Sequence, residues 1–380
     1  MSARVDNFII RDADGVRTAN SLVLGRGFRI TETASGIPEL EGTVVGEVQL
    51  TPSDGDDTQA IQAALATGRN VRLGPGTFTL TATLTLGAGG SGQRLVGSGN
   101  TQTLISFTAA GIPAIDIVSG HSGVESLRVA GVYNSGQTGI RAVFPSPSGP
   151  VLLRDLAIGS METGIHLEKV AGCEVAGVDV SLSSLYGIYA REITRAALRN
   201  IAIHYADTTG IHIENGREVT CESIHVDEGF AYGIFLSGGA GYRLAGVYAV
   251  LCETAVAITG TTGATVAESL ILANCTNGIL VDQARGVALN GCELVWARES
   301  LVILDSENVV AGALRSDTTG GSFGWRRHVR VASSAGVFVT GMRVAGSGTV
   351  DVSAAGNRVL FGPNNFPPGS IVSGGNFAAL

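Results

Sequence analysis

The chain has 380 residues, 15% of them charged, with a net charge of −8 and 54 glycines. That length allows a large core, and the low charge argues against disorder. The acidic balance gives no support to nucleic-acid binding, which uses a basic stripe. No stretch approaches a membrane span, so no membrane insertion is expected. There is no phosphate-cradling loop and no His/Cys set at metal spacing, so neither cofactor nor metal is expected.

In chain order, residues 1–7 lack an apolar h-region, and no signal peptide is expected. Residues 1–50 lie outside any repeat. Alternation at 21–25 and 27–30 predicts short strands. This segment reads either as an attachment segment that docks on another protein or as an N-terminal cap. Residues 53–66 predict a short amphipathic helix with Asp56 or Asp57 as N-cap and Ile61 and Leu65 on one face. Such a helix would cover an open end of a repeat array. Strand patterns begin near Val71.

A ladder of a small residue followed by an aliphatic one then sets in. It runs Gly139-Ile140, Gly164-Ile165, Gly187-Ile188, Gly210-Ile211, Gly233-Ile234, Ala255-Val256, Gly278-Ile279 and Ser300-Leu301, at steps of 25, 23, 23, 23, 22, 23 and 22 residues. A fixed period of this size marks a solenoid. Counting each small residue as zero, positions +1/+3, +11 and +14/+16 are apolar in nearly every coil. Each coil thus holds three short strands with period-two alternation. The expected fold is all-β: a right-handed parallel β-helix of about 12 coils of 22–25 residues, three parallel sheets and a short capping helix. The expected boundaries are 1–50 for the attachment or cap segment, 51–345 for the helix and 346–380 for an irregular coil and tail. The register fades from about Ser316, where Trp325, Arg326, Arg327, His328 and Arg330 form a basic patch. The five cysteines lack CxxC spacing. Cys252 and Cys275 share a column, and stacked buried thiols are preferred there to a disulfide.

Core columns need no further account, so function is expected on outward columns. On the first face, the +2 column reads Arg141, His166, Tyr189, His212, Phe235, and the +4 column reads Glu168, Arg191, Glu214, Ser237. Rings beside carboxylates and an arginine suit a sugar-binding strip. They equally suit a subunit interface or a solvated charge ladder. On the second face, the +15 column reads Asp179, Ala202, His225, Tyr248, and the +17 column reads Ser181, His204, Asp227, Val250. His204 beside Asp227 is either a tuned general base or a surface ion pair. Glu168, Glu214, Asp227 and His204 are the catalytic candidates. His166, Tyr189, Arg191, His212, Phe235, Asp179, His225 and Tyr248 are the ligand-binding candidates. Glu168 and Glu214, two coils apart, approach the carboxyl spacing of inverting glycosidases, roughly 6.5–9.5 Å, but Arg191 between them fits a structural ladder.

Asp56-Asp57-Thr58 with residues 60–64, then Leu73-Gly-Pro-Gly-Thr-Phe78, then Leu95-Val-Gly-Ser-Gly99 resemble the opening segment of the pectate-lyase-like superfamily. The version they resemble is that of bacteriophage tailspikes and related virion fibres, over roughly residues 50–345. The resemblance implies a virion spike or fibre, made in the bacterial cytoplasm and displayed on the virion surface. It implies a homotrimer that docks on another virion protein through residues 1–50 and binds host surface polysaccharide. A phage-like gene transfer agent is a related carrier. The Asn-Thr-Asp, Gly-His-Gly and Arg-Ile-Lys motifs of the superfamily's polygalacturonases are absent. So is the Asp cluster of its pectate lyases, which disfavours both activities. Three roles remain open: a glycan-binding adhesin, a depolymerase of the glycoside hydrolase or lyase type, and a structural decoration protein. Coils this short build little cleft, which favours binding over cleavage.

Overall fold

The computed structural model describes residues 47–88, 92–133, 135–319 and 326–353, together with strand segments between 3 and 41 and between 359 and 379. It divides into two compact units, Met1–Glu47 and Val48–Leu380. In the first unit, Ala3–Val5 pairs antiparallel with Leu22–Leu24. A separate four-stranded sheet has the order Gly15–Ala19, Phe8–Asp12, Pro38–Glu41, Arg29–Glu32. The short strands expected near 22 and 29 are both present.

The second unit is a parallel β-helix of about 13 coils. One inward column can be followed by register from end to end: Leu84, Ile115, Ile140, Ile165, Ile188, Ile211, Ile234, Val256, Ile279, Leu301, Val329, Val350, Ile371. From Leu84 to Val350 every member is fully buried. The three strands per coil show plainly in the later coils, as in Asn277–Asp282, Arg285–Asn290 and Glu293–Val295. The extra residue of the coil after Ala255 is absorbed before Ile271, which pairs with Tyr248.

The glycine ladder has a steric cause. A Cβ on Gly164 would lie 2.5 Å from the carbonyl oxygen of Gly187, and one on Gly187 would lie 2.7 Å from that of Gly210. Gly139, Gly210, Gly233 and Gly278 repeat this contact at 2.6 Å with the next coil's carbonyl. Each of these glycines therefore packs its backbone against the next coil's, and a Cβ added there would force that carbonyl to shift, whereas Ala255, Ser300 and His328 fit at their own anchors.

Single residues in the left-handed region turn the corners between strands. One such column reads Leu182, Tyr205, Glu228, Leu251, Asn274, Trp296, with φ between 54° and 59°. Bulky residues seldom adopt this conformation, and here the next coil's pairing holds them in it.

The capping helix is Thr58–Ala66, with Ile61 and Leu65 buried. Its two candidate caps divide the work. Asp57 is the N-cap by position but makes no side-chain cap. Its carboxylate accepts instead from Ser53 N at 2.9 Å, Ser53 Oγ at 2.7 Å and Thr79 N at 3.0 Å, tying the helix to the first coil. Asp56 takes over at the helix start, accepting from Thr58 N at 3.0 Å and from the hydroxyls of Thr58 and Thr81. The Thr58 and Thr81 hydroxyl bonds, with the Thr58 amide, hold its carboxyl down to about 2. At the far end, buried Gln93 donates to the carbonyls of Leu65 (2.7 Å) and Arg69 (2.8 Å), locking the helix over the open end.

The coil register continues beyond residue 345. Thr349–Ser353, Val359–Phe361, Ile371–Ser373 and Phe377–Ala379 all pair in parallel with the coil before. Two changes hide this in the sequence. The step from Leu301 to Val329 grows to 28 residues, and the next two fall to 21. The anchor also changes from the small Ser300 to His328, which is fully buried. Trp325 and the prolines after Phe361 lie outside the described residues. All five cysteines are free and buried. Cys252 and Cys275 donate to carbonyls of their own coils at 3.4 and 3.1 Å.

Candidate functional site

Both outward faces assemble in the register expected for them. On the first, Arg141, His166, Tyr189, His212 and Phe235 follow one another coil by coil, as do Glu168, Arg191, Glu214 and Ser237. Their chemistry is turned inward on itself. His212 stacks on Phe235 at 4.6 Å between ring centroids. Tyr186 stacks on Tyr189 at 5.1 Å and Tyr232 on Phe235 at 4.7 Å. Ring faces that would meet a pyranose are therefore spent on neighbouring rings. The Tyr189 hydroxyl donates to Glu214 at 2.6 Å, and His212 Nε2 meets Ser237 Oγ at 2.9 Å. Burial pushes both His166 and His212 below the ordinary histidine value. Burial, with the Glu214 bond second, pushes the Tyr189 phenol up. Arg191 pairs with Glu214 (3.7 Å) and Glu192 (3.5 Å), while Glu168 lies 3.9 Å from both His166 and Lys169. The ladder therefore runs from Arg191 toward Glu214, and Glu168 is held by its own strand. Tyr186 and Tyr232 were missed in the sequence, although they recur one residue before the anchors, 46 residues apart.

The second face is open. Its outer column reads Thr77, Leu104, Arg128, Ala157, Asp179, Ala202, His225, Tyr248 by register. The parallel column beside it reads Ala130, Gly159, Ser181, His204, Asp227. Small residues at 130, 157, 159, 181 and 202 make a low floor between larger groups.

Two loops border this floor. The 97–102 loop lines one edge of a cavity of about 520 Å³, with Arg128, Ala157 and Asp179 at its base. At the other edge, the loop after Ala130 reaches across the coils, and the Tyr133 hydroxyl donates to the Asp207 carboxylate. Asp207 sits at the turn after His204, so the loop spans the Asp179 and His204 coils.

The polar cluster expected on this face is in place. His204 Nδ1 lies 2.6 Å from Asp227 Oδ1, and His225 Nε2 lies 3.5 Å from Asp227 Oδ2. One carboxylate thus orients two imidazoles and leaves His204 Nε2 turned away from its partner. His225 meets Tyr248 edge-on at 4.9 Å. The bulky left-handed corner runs beside the cluster, with Leu182, Tyr205 and Leu251 47, 52 and 48% exposed. Arg128, Asn100 and Tyr133 were not singled out in the sequence. Arg128 falls before the glycine ladder begins, and the two loop residues carry no periodic signal.

The arrangement can bind an extended, hydroxylated ligand along a trough with hydrogen-bonding groups and aromatic edges. It also has, in His204 with Asp227, the elements of a general base.

The family model described as "Right handed beta helix region" matches residues 130–294. The fold is that of the right-handed parallel β-helix superfamily. No curated protein matches in sequence. Among solved structures, the Dettilon tailspike protein aligns at 15% identity and TM-score 0.55, over 88% of this chain and 68% of the other. A Geobacillus virus E2 protein aligns at 15% identity and TM-score 0.51, over 87% of this chain and 62% of the other. The DFA-IIIase of Arthrobacter chlorophenolicus A6, in complex with GF2, aligns at 12% identity and TM-score 0.58, over 80% and 90%. A tailspike, a viral protein and an enzyme thus share this β-helix scaffold, and at such identity the likeness is one of fold.

Proposed function

We propose that the protein is a spike or fibre of a phage or phage-like particle that binds host cell-surface polysaccharide along the groove face. The observation that carries this is the bordered trough, where Arg128 and Asp179 face outward at the base of the cavity, beside a ladder face on which the rings stack on one another. Likeness to a tailspike and to a viral protein favours the particle-borne setting. In this reading the chain works as a homotrimer on the virion surface, and the 1–50 segment docks on another virion protein. The exposed corner of Leu182, Tyr205 and Leu251 offers apolar surface for a neighbouring subunit. Light scattering of the purified chain at three times its monomer mass supports the trimer, and a monomer mass overturns it.

A second reading is depolymerisation of the same polysaccharide by a glycoside hydrolase or lyase. The 2.6 Å contact between His204 and Asp227 favours it, because it fixes one imidazole nitrogen and frees the other as a base. Incubation with host capsule or O-antigen, followed by sizing of the polymer, separates the two. Retained binding with no loss of size supports the adhesin. Size loss that His204→Ala abolishes supports the depolymerase. Neither binding nor cleavage supports a structural decoration protein.

A further inference from the structure

Several surface arginines of this chain pair with a carboxylate. Arg141 meets Asp116, Arg154 meets Glu174, Arg243 meets Glu268 and Arg315 meets Glu293, each within 2.5–2.9 Å and each on a neighbouring coil. Arg128 does not. Its register neighbours are Leu104 and Ala157, so neither adjoining coil offers a carboxylate beside it. Asp179 is isolated in the same way, between Ala157 and Ala202. Both side chains are exposed, and neither has a hydrogen-bond or ion-pair partner among the described residues. They stand two coils apart, roughly 10 Å between backbones, too far to pair directly.

These two charges form the base of the 520 Å³ cavity, under the 97–102 loop. That loop is built to hold its place. Ser98 N donates to Thr103 Oγ1 at 2.8 Å, and the fully buried Thr103 donates to Gly74 O at 2.9 Å. Asn100 Nδ2 reaches over to Asp155 Oδ1 at 3.2 Å. Gly97 packs so closely that a Cβ there would lie 2.2 Å from Ser126 O. The wall is therefore pre-organised, and little ordering cost falls on a ligand.

We propose that this end of the groove is a subsite for a carboxylate-bearing sugar unit. Its acid pairs with Arg128 and its hydroxyls donate to Asp179. The assignment rests on the glycan reading above and sharpens it. A guanidinium without an internal partner offers a planar fork that matches a carboxylate. Asp179 accepts hydroxyl hydrogens and repels a second acid, so the bound polymer carries its carboxylate on one unit and a neutral unit next to it. Because the floor continues through Ala202 to His225 and Tyr248, the chain of sugars lies along the β-helix axis.

The test uses the full-length protein and a panel of purified bacterial capsular polysaccharides, each in native and carboxyl-reduced form. Titration calorimetry reads the affinity. Binding of an acidic polymer that falls about 10- to 100-fold on carboxyl reduction is expected, the size of one charge-assisted contact. Arg128→Ala should weaken the native polymer by a similar factor and leave the reduced polymer unchanged, and Arg128→Lys should recover part of the loss. Both variants should melt with wild type, since Arg128 is exposed and unpaired. Equal binding of native and reduced polymer overturns the subsite and leaves the glycan reading standing. So does an Arg128→Ala variant that still tells the two forms apart. Binding to no member of the panel overturns both.

Discussion

The ladder face and the groove face are built on the same coils, from the same alternation and partly from the same residue types. On the ladder face, large residues occupy successive coils about 4.8 Å apart, so rings stack on their neighbours and Tyr189 and Arg191 reach Glu214 on the next coil. On the groove face, Ala157, Gly159 and Ala202 interrupt the columns, and the groups between them are left facing solvent. In a β-helix, then, the spacing of functional residues along a column matters as much as their identity. Residues stacked on successive coils pair with one another, as His204 does with Asp227, while Arg128 and Asp179, beside Ala157 and Ala202, keep no partner among the described residues.

The most severe way to break this comparison is to remove the scaffold that both faces share. Gly187→Val places a side chain against the Gly210 carbonyl and Ile203. A loss of about 4 kcal/mol or more is expected, read as insoluble protein or a collapsed melting temperature. Near-wild-type melting would mean that the coils can spread, and the steric account of the ladder would fail.

Acid comes next, and it acts behind the ladder face. His328 occupies the anchor column, fully buried, with Nδ1 2.7 Å from Ser316 Oγ and Nε2 without a partner. Burial, with Arg326 second, pushes it down to about 4 from 6.5. The unfolded chain therefore takes the proton first. Stability is complete above pH 6.5, falls as pH drops toward 4 and loses about 3 kcal/mol across that window before levelling. Denaturant melts at pH 7 and pH 4.5 measure the slope, and His328→Gln should flatten it. An unchanged slope would place the acid sensitivity elsewhere.

Binding sharpens the contrast directly. His204→Ala and Asp227→Asn should weaken polysaccharide binding about 10-fold or more, while Glu168→Gln and Glu214→Gln leave it unchanged. The opposite pattern, seen by the same titration, would move the site to the ladder face. The smallest expected effect is that of Tyr189→Phe. It removes the 2.6 Å bond to Glu214 and should cost about 1 kcal/mol of stability, with binding intact.

Much of the architecture was legible in the sequence because close packing of coils imposes a period that side chains must obey. The Gly-Ile pairs mark the inward column, and the membership of both outward faces follows from it by counting residues. Legibility ended where the period changed. The 28-residue step before Val329 and the histidine at its anchor concealed that the coils past residue 345 keep regular parallel pairing. The two aspartates read as N-cap candidates share the helix start, Asp57 by position and Asp56 by its bond to the Thr58 amide, because Asp57 is drawn to Ser53 and Thr79 by tertiary contact.

The candidate site was half legible. His204, His225 and Asp227 were placed together by column arithmetic alone, since neighbours on adjacent coils must touch. Arg128, Asn100 and Tyr133 could not be read this way. They lie before the regular ladder or on loops, where no repeat ties position to direction. Nor could spacing tell a self-satisfied column from an open one, because that depends on rotamers and on which loop folds over which face. The sequence by itself determined the coil, its core and the membership of each face. The tertiary structure decided which side chains pair with one another and which stay facing solvent, because hydrogen bonds and ring stacking between coils are settled only when the side chains meet in space.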